Sequence, residues 1–262
     1  MSPLSRAPRP LRFRPLAAEC LERRCVLAGN VTATFIDGNL QLFGDAKNNN
    51  VEVRAVGDDL LVRGLDLTRV NGQTEVVFTA GALVLNDFRA VLGKGNDRLS
   101  IGDLLIAGNA QLGQGQVDTL FDAGNDQILL ENVLVSGDLR VNAGAGADLV
   151  RLDLVAVAGR TELRGGSGND QLQIIDSAIT ELLLDAGSGN DQVAIEDSLI
   201  GGGASIRLGI GDDTLCILGD SVLGSGAFIN GNAGRDRLKL DDDALLIEFV
   251  SLLSLEVRQT VV

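Results

Sequence analysis

The chain is 262 residues long with a formal net charge of −14, is 45% apolar but only 3% aromatic, and contains no His, Trp or Tyr. Without histidine it can build neither a Ser-His-Asp nor a Cys-His nucleophile nor an imidazole metal site, and without Trp or Tyr it lacks the usual platform for stacking sugars or bases. The acidic excess opposes binding to phosphate backbones and anionic membranes and favours cations, while 33 glycines against 4 prolines fit sharp turns between regular segments.

The charge is uneven: residues 1 to 30 hold six Arg and two Glu, a net of +4, which leaves −18 on the remainder. No run of 18 or more apolar residues offers a helical membrane span, and the Arg- and Pro-rich N-terminus lacks the apolar stretch of an ordinary secretory signal. Three cysteines, Cys20, Cys25 and Cys216, cannot make a disulfide framework; Cys20 and Cys25 either pair with each other or are two plain thiols. Within LAAECLERRCVLAG (16–29), Leu21, Glu22, Arg24 and Leu27 resemble the LEPR-x-L-L leader of planctomycete-type bacterial surface proteins, with Arg23 in place of the proline and Val26 in place of the first leucine of the pair. That resemblance implies a disordered basic export segment over 1–30, ahead of extracellular β-repeats, and hence a location outside the cell or on its surface. The alternative is the basic tail of a cytosolic protein.

Residues 31–90 read as N-terminal strands and irregular first coils. VTATFI, the turn Asp37-Gly38-Asn39 and LQLFG form a hairpin or a first bend, and NNNVEVRAV then puts Val51 and Val53 in the places later held by Leu172 and Ile174.

Regular repeats fill 91–243. Gly-x-Asp turns end at Asp97, Asp126, Asp148, Asp170, Asp191, Asp213 and Asp236, at spacings of 29, 22, 22, 21, 22 and 23, and the long interval contains LGQGQVD, which resembles an eight-residue duplication ending at Asp118. After each aspartate the second and fourth residues are aliphatic, as in Leu172 and Ile174, while the residue between them varies, which is the period of a strand with one buried face. Cys216 falls at the outward position. A second aliphatic column, Val141, Leu163, Leu184, Ile206 and Ile229, lies seven residues before each aspartate. A unit of about 22 residues cannot close its own core, so the fold class expected is all-β: a parallel β-helix or β-solenoid with a Gly/Asn/Asp turn ladder. Residues 244–262 are apolar, lack the Gly-rich turn, and read as a capping coil or an amphipathic helix.

GGSGNDQLQ (165–173) matches Gly-Gly-x-Gly-x-Asp-x-aliphatic-x throughout and resembles the RTX, or hemolysin-type, calcium-binding repeats. The resemblance implies several Ca²⁺ ions between stacked turns. Their ligands would be the seven aspartates above and backbone oxygens of Gly93, Gly95, Gly144, Gly146, Gly166, Gly168, Gly187, Gly189, Gly209 and Gly211. The match departs from RTX in spacing, with one motif per coil, and in the first glycine, which is Ala186 or Leu208 elsewhere. Carboxylates stacked about 4.8 Å apart need relief from a bound ion, a raised pKa or splaying into solvent. The competing reading is a bare turn ladder in which Asn96, Asn125, Asn169 and Asn190 bond their own backbone. A further partial acidic column is Asp103, Asp153, Asp176, Asp197, Asp220 and Asp242, and Asp241 to Asp243 read as a solvated bend.

These features point to a non-catalytic, exported calcium-binding β-solenoid serving as a surface structural or adhesion module. Cell-surface polysaccharide or other surface proteins are its expected partners, with no nucleic acid and no transmembrane segment. The alternatives are a β-helical polysaccharide lyase or hydrolase using paired carboxylates, and a metal-free scaffold.

Overall fold

The computed structural model describes residues 29–79, 84–113, 123–246 and 251–259. The leader, Cys20, Cys25 and the insertion expected around Asp118 lie outside them.

The described residues contain strands and no helix. Between Arg98 and Leu240 the strands pair in parallel from coil to coil, in the register that the repeat requires. Leu99 aligns with Ile128, Ile128 with Val150, Val150 with Leu172, Leu172 with Val193, Val193 with Leu215 and Leu215 with Leu238. All seven are buried, as are Val141, Leu163, Leu184, Ile206 and Ile229 on the second face. A side chain that recurs every coil stacks on its equivalent, and the columns merge into one continuous core.

Each coil also has a third, shorter face between these two. It comprises the ends of Arg98–Ile106 and Gln127–Val135, the middle of Leu149–Ser167, the start of Ala178–Ser188, and the two-residue strands Leu199–Ile200, Val222–Leu223 and Leu245–Leu246. The bends that introduce it hold Asp103, Asn132, Leu154, Asp176 and Asp197 at positive φ, so half of the second acidic column marks a left-handed corner. Asp153 instead lies on a strand, 2.6 Å from Arg151.

Hairpins close the N-terminal end. Asn30–Ile36 and Asn39–Phe43 pair antiparallel through a turn with Asp37 and Gly38 both at positive φ, the geometry that a two-residue hairpin favours. Asn50–Val56 carries Asp59–Gly64, and that strand carries Glu75–Thr79. The same region joins the stack, with Leu40 aligned to Phe88, and Val51 and Val53 to Leu99 and Ile101. At the other end Leu245–Leu246, Ser251–Leu253 and Leu255–Gln259 form a last parallel coil, so the described part of the terminal segment is strand.

Candidate functional site: the stacked turns

The seven aspartates lie one above another, as the repeat requires, but they face the interior. All are buried, from 1% exposed at Asp170, Asp191 and Asp213 to 6% at Asp126. Their direction follows from the pleat: Asp170, Leu172 and Ile174 share parity, so a strand that turns its leucine inward turns its aspartate inward too.

Each carboxylate reaches back one coil. The Asp97 backbone N–H donates to Oδ1 of Asp126 at 2.7 Å, Asp126 to Asp148 at 2.7 Å, Asp148 to Asp170 at 2.9 Å, Asp170 to Asp191 at 2.8 Å, Asp191 to Asp213 at 2.7 Å and Asp213 to Asp236 at 3.0 Å. The column begins at Asn49, whose N–H donates to Asp97 at 2.7 Å and whose Nδ2 donates to the carbonyls of Asp45, Lys47 and Leu92. It ends where Leu255 aligns with Asp236. Asn49 was missed in the sequence, although it stands two residues before Val51, as Asp170 stands before Leu172.

The asparagines beside them form a second, exposed ladder of opposite sense. Asn96 accepts from the N–H of Asn125 at 2.9 Å, Asn125 from Ala147 at 2.9 Å, Asn169 from Asn190 at 2.8 Å and Asn190 from Asp212 at 2.8 Å. These side chains bond the next coil's backbone instead of their own, so the junctions they span are stapled from both sides, while Ala147 leaves the junction to Asn169 with the inner bond alone. A third ladder, absent from the sequence reading, runs through buried serines: Ser198 Oγ accepts from the Ser177 N–H at 3.0 Å and Ser221 Oγ from the Ser198 N–H at 3.3 Å.

Burial sets the protonation of the aspartate column. Desolvation raises Asp148 and Asp191 to about 7 and Asp213 to about 6, against the lowering effect of the backbone N–H that each accepts, and neighbouring aspartates add to the rise. Asp170 is raised for the same first reason. The Oδ2 atoms of Asp148, Asp170, Asp191, Asp213 and Asp236 are buried without a hydrogen-bond partner in the protein. A file of ionised carboxylates in that setting would be costly, so Asp148, Asp170, Asp191 and Asp213 keep their protons to higher pH than free carboxylates do.

The glycines explain the rest of the motif. Gly166 and Gly168 sit at φ 112° and 127°, and a Cβ on either would run into the carbonyl oxygen of Gly144 or Gly146 in the coil before. The same stacking repeats at Gly187, Gly189, Gly209 and Gly211. The first position of the nonapeptide is different, because it is an inward core position. Ala143, Ala186 and Leu208 are fully buried there, and at Gly165 an added Cβ would stand 2.7 Å from Oδ2 of Asp170. Alanine and leucine replace that glycine because it faces the core and not a ligand.

Calcium needs six to eight oxygens that converge on one point. Here Oδ1 of six of the seven aspartates is traced to a backbone N–H of the preceding coil, and that of Asp97 to Asn49. The carbonyls of Gly95, Gly144, Gly146, Gly166, Gly168, Gly187, Gly189 and Gly211 point at the Cα of the glycine stacked on them. Gly93 lies against the Asp45 carbonyl, and Gly209 receives the Gly187 carbonyl. Among the described residues no group of three or more Cys, Asp or Glu side chains is gathered to hold a metal ion. The aspartate Oδ1 atoms and the glycine carbonyls are thus engaged within the stack itself.

Cys216 is half-buried at the outward position, where desolvation raises its pKa and Lys239 lowers it. Among the described residues no helix is long and apolar enough to cross a membrane. Comparison with protein-family models, curated proteins and solved structures finds no match. The fold and the laddered turns define the class, a β-solenoid repeat protein.

Proposed function

We propose that the chain is a non-catalytic structural scaffold whose aspartate column is an internal, metal-independent hydrogen-bond ladder. The observation that carries this reading is the unbroken run from Asn49 to Asp236, in which each carboxylate is turned inward and bonded to the coil before it. Such a column fixes coil spacing and register without a ligand. The surface columns are then free to vary, as they do through Ser100, Leu129, Arg151, Gln173, Ala194, Cys216 and Lys239. The leader resemblance at Leu21, Glu22, Arg24 and Leu27 supports export and a role at the cell surface, structural or adhesive.

Thermal melting of the full chain at low ionic strength, with chelator or with excess calcium, tests the reading. The expected result is the same Tm in both. A saturable rise of Tm with calcium would return the calcium-binding solenoid, since a ligand that binds only the folded stack stabilises it by mass action.

A further inference from the structure

The short third face has a property that the scaffold does not use. From Val84 to Leu245, eight successive coils each present one outward aliphatic side chain in register, through Leu105, Leu134, Ala156, Ala178, Leu199 and Val222. Leu134 is 45% exposed, Leu199 50% and Leu245 55%. Their neighbours Val133, Val135, Val157 and Ile200 already fill the core, so the outward column is surplus to folding. At roughly 4.8 Å per coil it is about 34 Å long.

Its two edges differ. Two residues before the column stand Asp103, Asp176, Asp197 and Asp220, all exposed. No salt bridge among the described residues neutralises them. Two residues after it stand Ala107, Ser136, Ala158 and Thr180, small and uncharged. The column and its edges cover about 480 Å² if each two-residue step is taken as roughly 7 Å, comparable to the largest patch of an ordinary monomer, which is often functional, and below the ~800 Å² per partner of a standard protein interface. A second copy fits poorly: an antiparallel two-fold would set acidic edge on acidic edge, and each copy carries −14.

We propose that this face docks a cationic amphipathic helix of a partner protein, with the helix's aliphatic stripe on the column and its Lys or Arg residues along the aspartate edge. A helix of about 23 residues spans the column at 1.5 Å per residue. The inference adds a partner to the scaffold reading, and the two are tested apart, by binding here and by melting there.

The test is fluorescence anisotropy of a labelled Leu/Lys amphipathic helix of that length, and of its Leu/Glu counterpart, titrated with the full chain. The Leu/Lys peptide should bind saturably, weaken with salt, and lose about tenfold in affinity with the Leu134→Asn/Leu199→Asn pair and again with Asp176→Asn/Asp197→Asn; the Leu/Glu peptide should not bind. All four positions are exposed, and Asn tolerates the positive φ of Asp176 and Asp197, so the variants should melt with the parent. Binding that falls with the aspartate pair but not with the leucine pair would reduce it to attraction by a polyanion and overturn the proposal. So would a full chain that sediments as a dimer dissociated by the leucine pair, or a peptide that fails to bind the full chain, whether nothing docks there or residues 1–28 hold the face.

Discussion

Asn169 and Asp191 show how side chains divide one junction: Asn169 reaches forward to the N–H of Asn190, while Asp191 reaches back to the N–H of Asp170. The outer amide is solvated and neutral, whereas the inner carboxyl is desolvated. The pKa values of Asp148 and Asp191 near 7 and Asp213 near 6 lie above the ordinary carboxylate value, so the folded chain holds more protons than the unfolded one between those limits. The stability these groups contribute is complete below the ordinary value and is lost as pH rises through 6 to 7, so Tm should be higher at pH 5 than at pH 8, the reverse of a protein held by ionised carboxylates. Asp191→Asn keeps an acceptor and removes the titrating group, so its Tm should change less across that range than the parent's. Asp170→Ala strands the Asp148 N–H and should cost about 1–3 kcal/mol by denaturant unfolding at pH 5.

At the scale of the turn and the strand, each half of the motif answers to a different constraint. Gly168 needs both its positive φ and the absence of a Cβ against Gly146, whereas Ser167 beside it is exposed. Gly168→Ala should therefore destabilise by more than ~2 kcal/mol and Ser167→Ala by less than about 0.5 kcal/mol, compared by urea midpoints. The long strands were legible because period-two alternation is visible over four residues and recurs in every coil. The third face was not, because a strand as short as Leu199–Ile200 shows no period. The direction of the aspartates was legible in principle, since Asp170 is in phase with Leu172 and Ile174, but a Gly-Asn-Asp string also reads as a solvated turn. Only the burial, which alternates inward from Asp170 through Leu172 to Ile174 although the strand begins at Gln171, separates the two. The second-column aspartates at 103, 176 and 197 serve bends, where Asp tolerates left-handed backbone.

Over the whole molecule, coils touch only their neighbours, so stability is built up along one axis. Hydrogen exchange should be slowest in the middle coils, around Leu172 and Val193, and fastest in the last coil, Leu255–Gln259, which has neither an aspartate of its own nor a following coil among the described residues. The acidic charge is distributed accordingly, with one file buried, where desolvation raises Asp148, Asp170, Asp191 and Asp213, and another left exposed beside an aliphatic column. The claim that joins these levels is that the middle of the buried file, from Asp148 to Asp213, holds its protons to higher pH than free carboxylates do. Infrared spectroscopy of the carboxylic-acid carbonyl band, followed against pH in the folded protein, tests it most directly. The structure predicts a band that persists at pH 6, titrates away near pH 7 and shrinks in Asp148→Asn and Asp191→Asn, whereas loss of the whole band near pH 4 would contradict it.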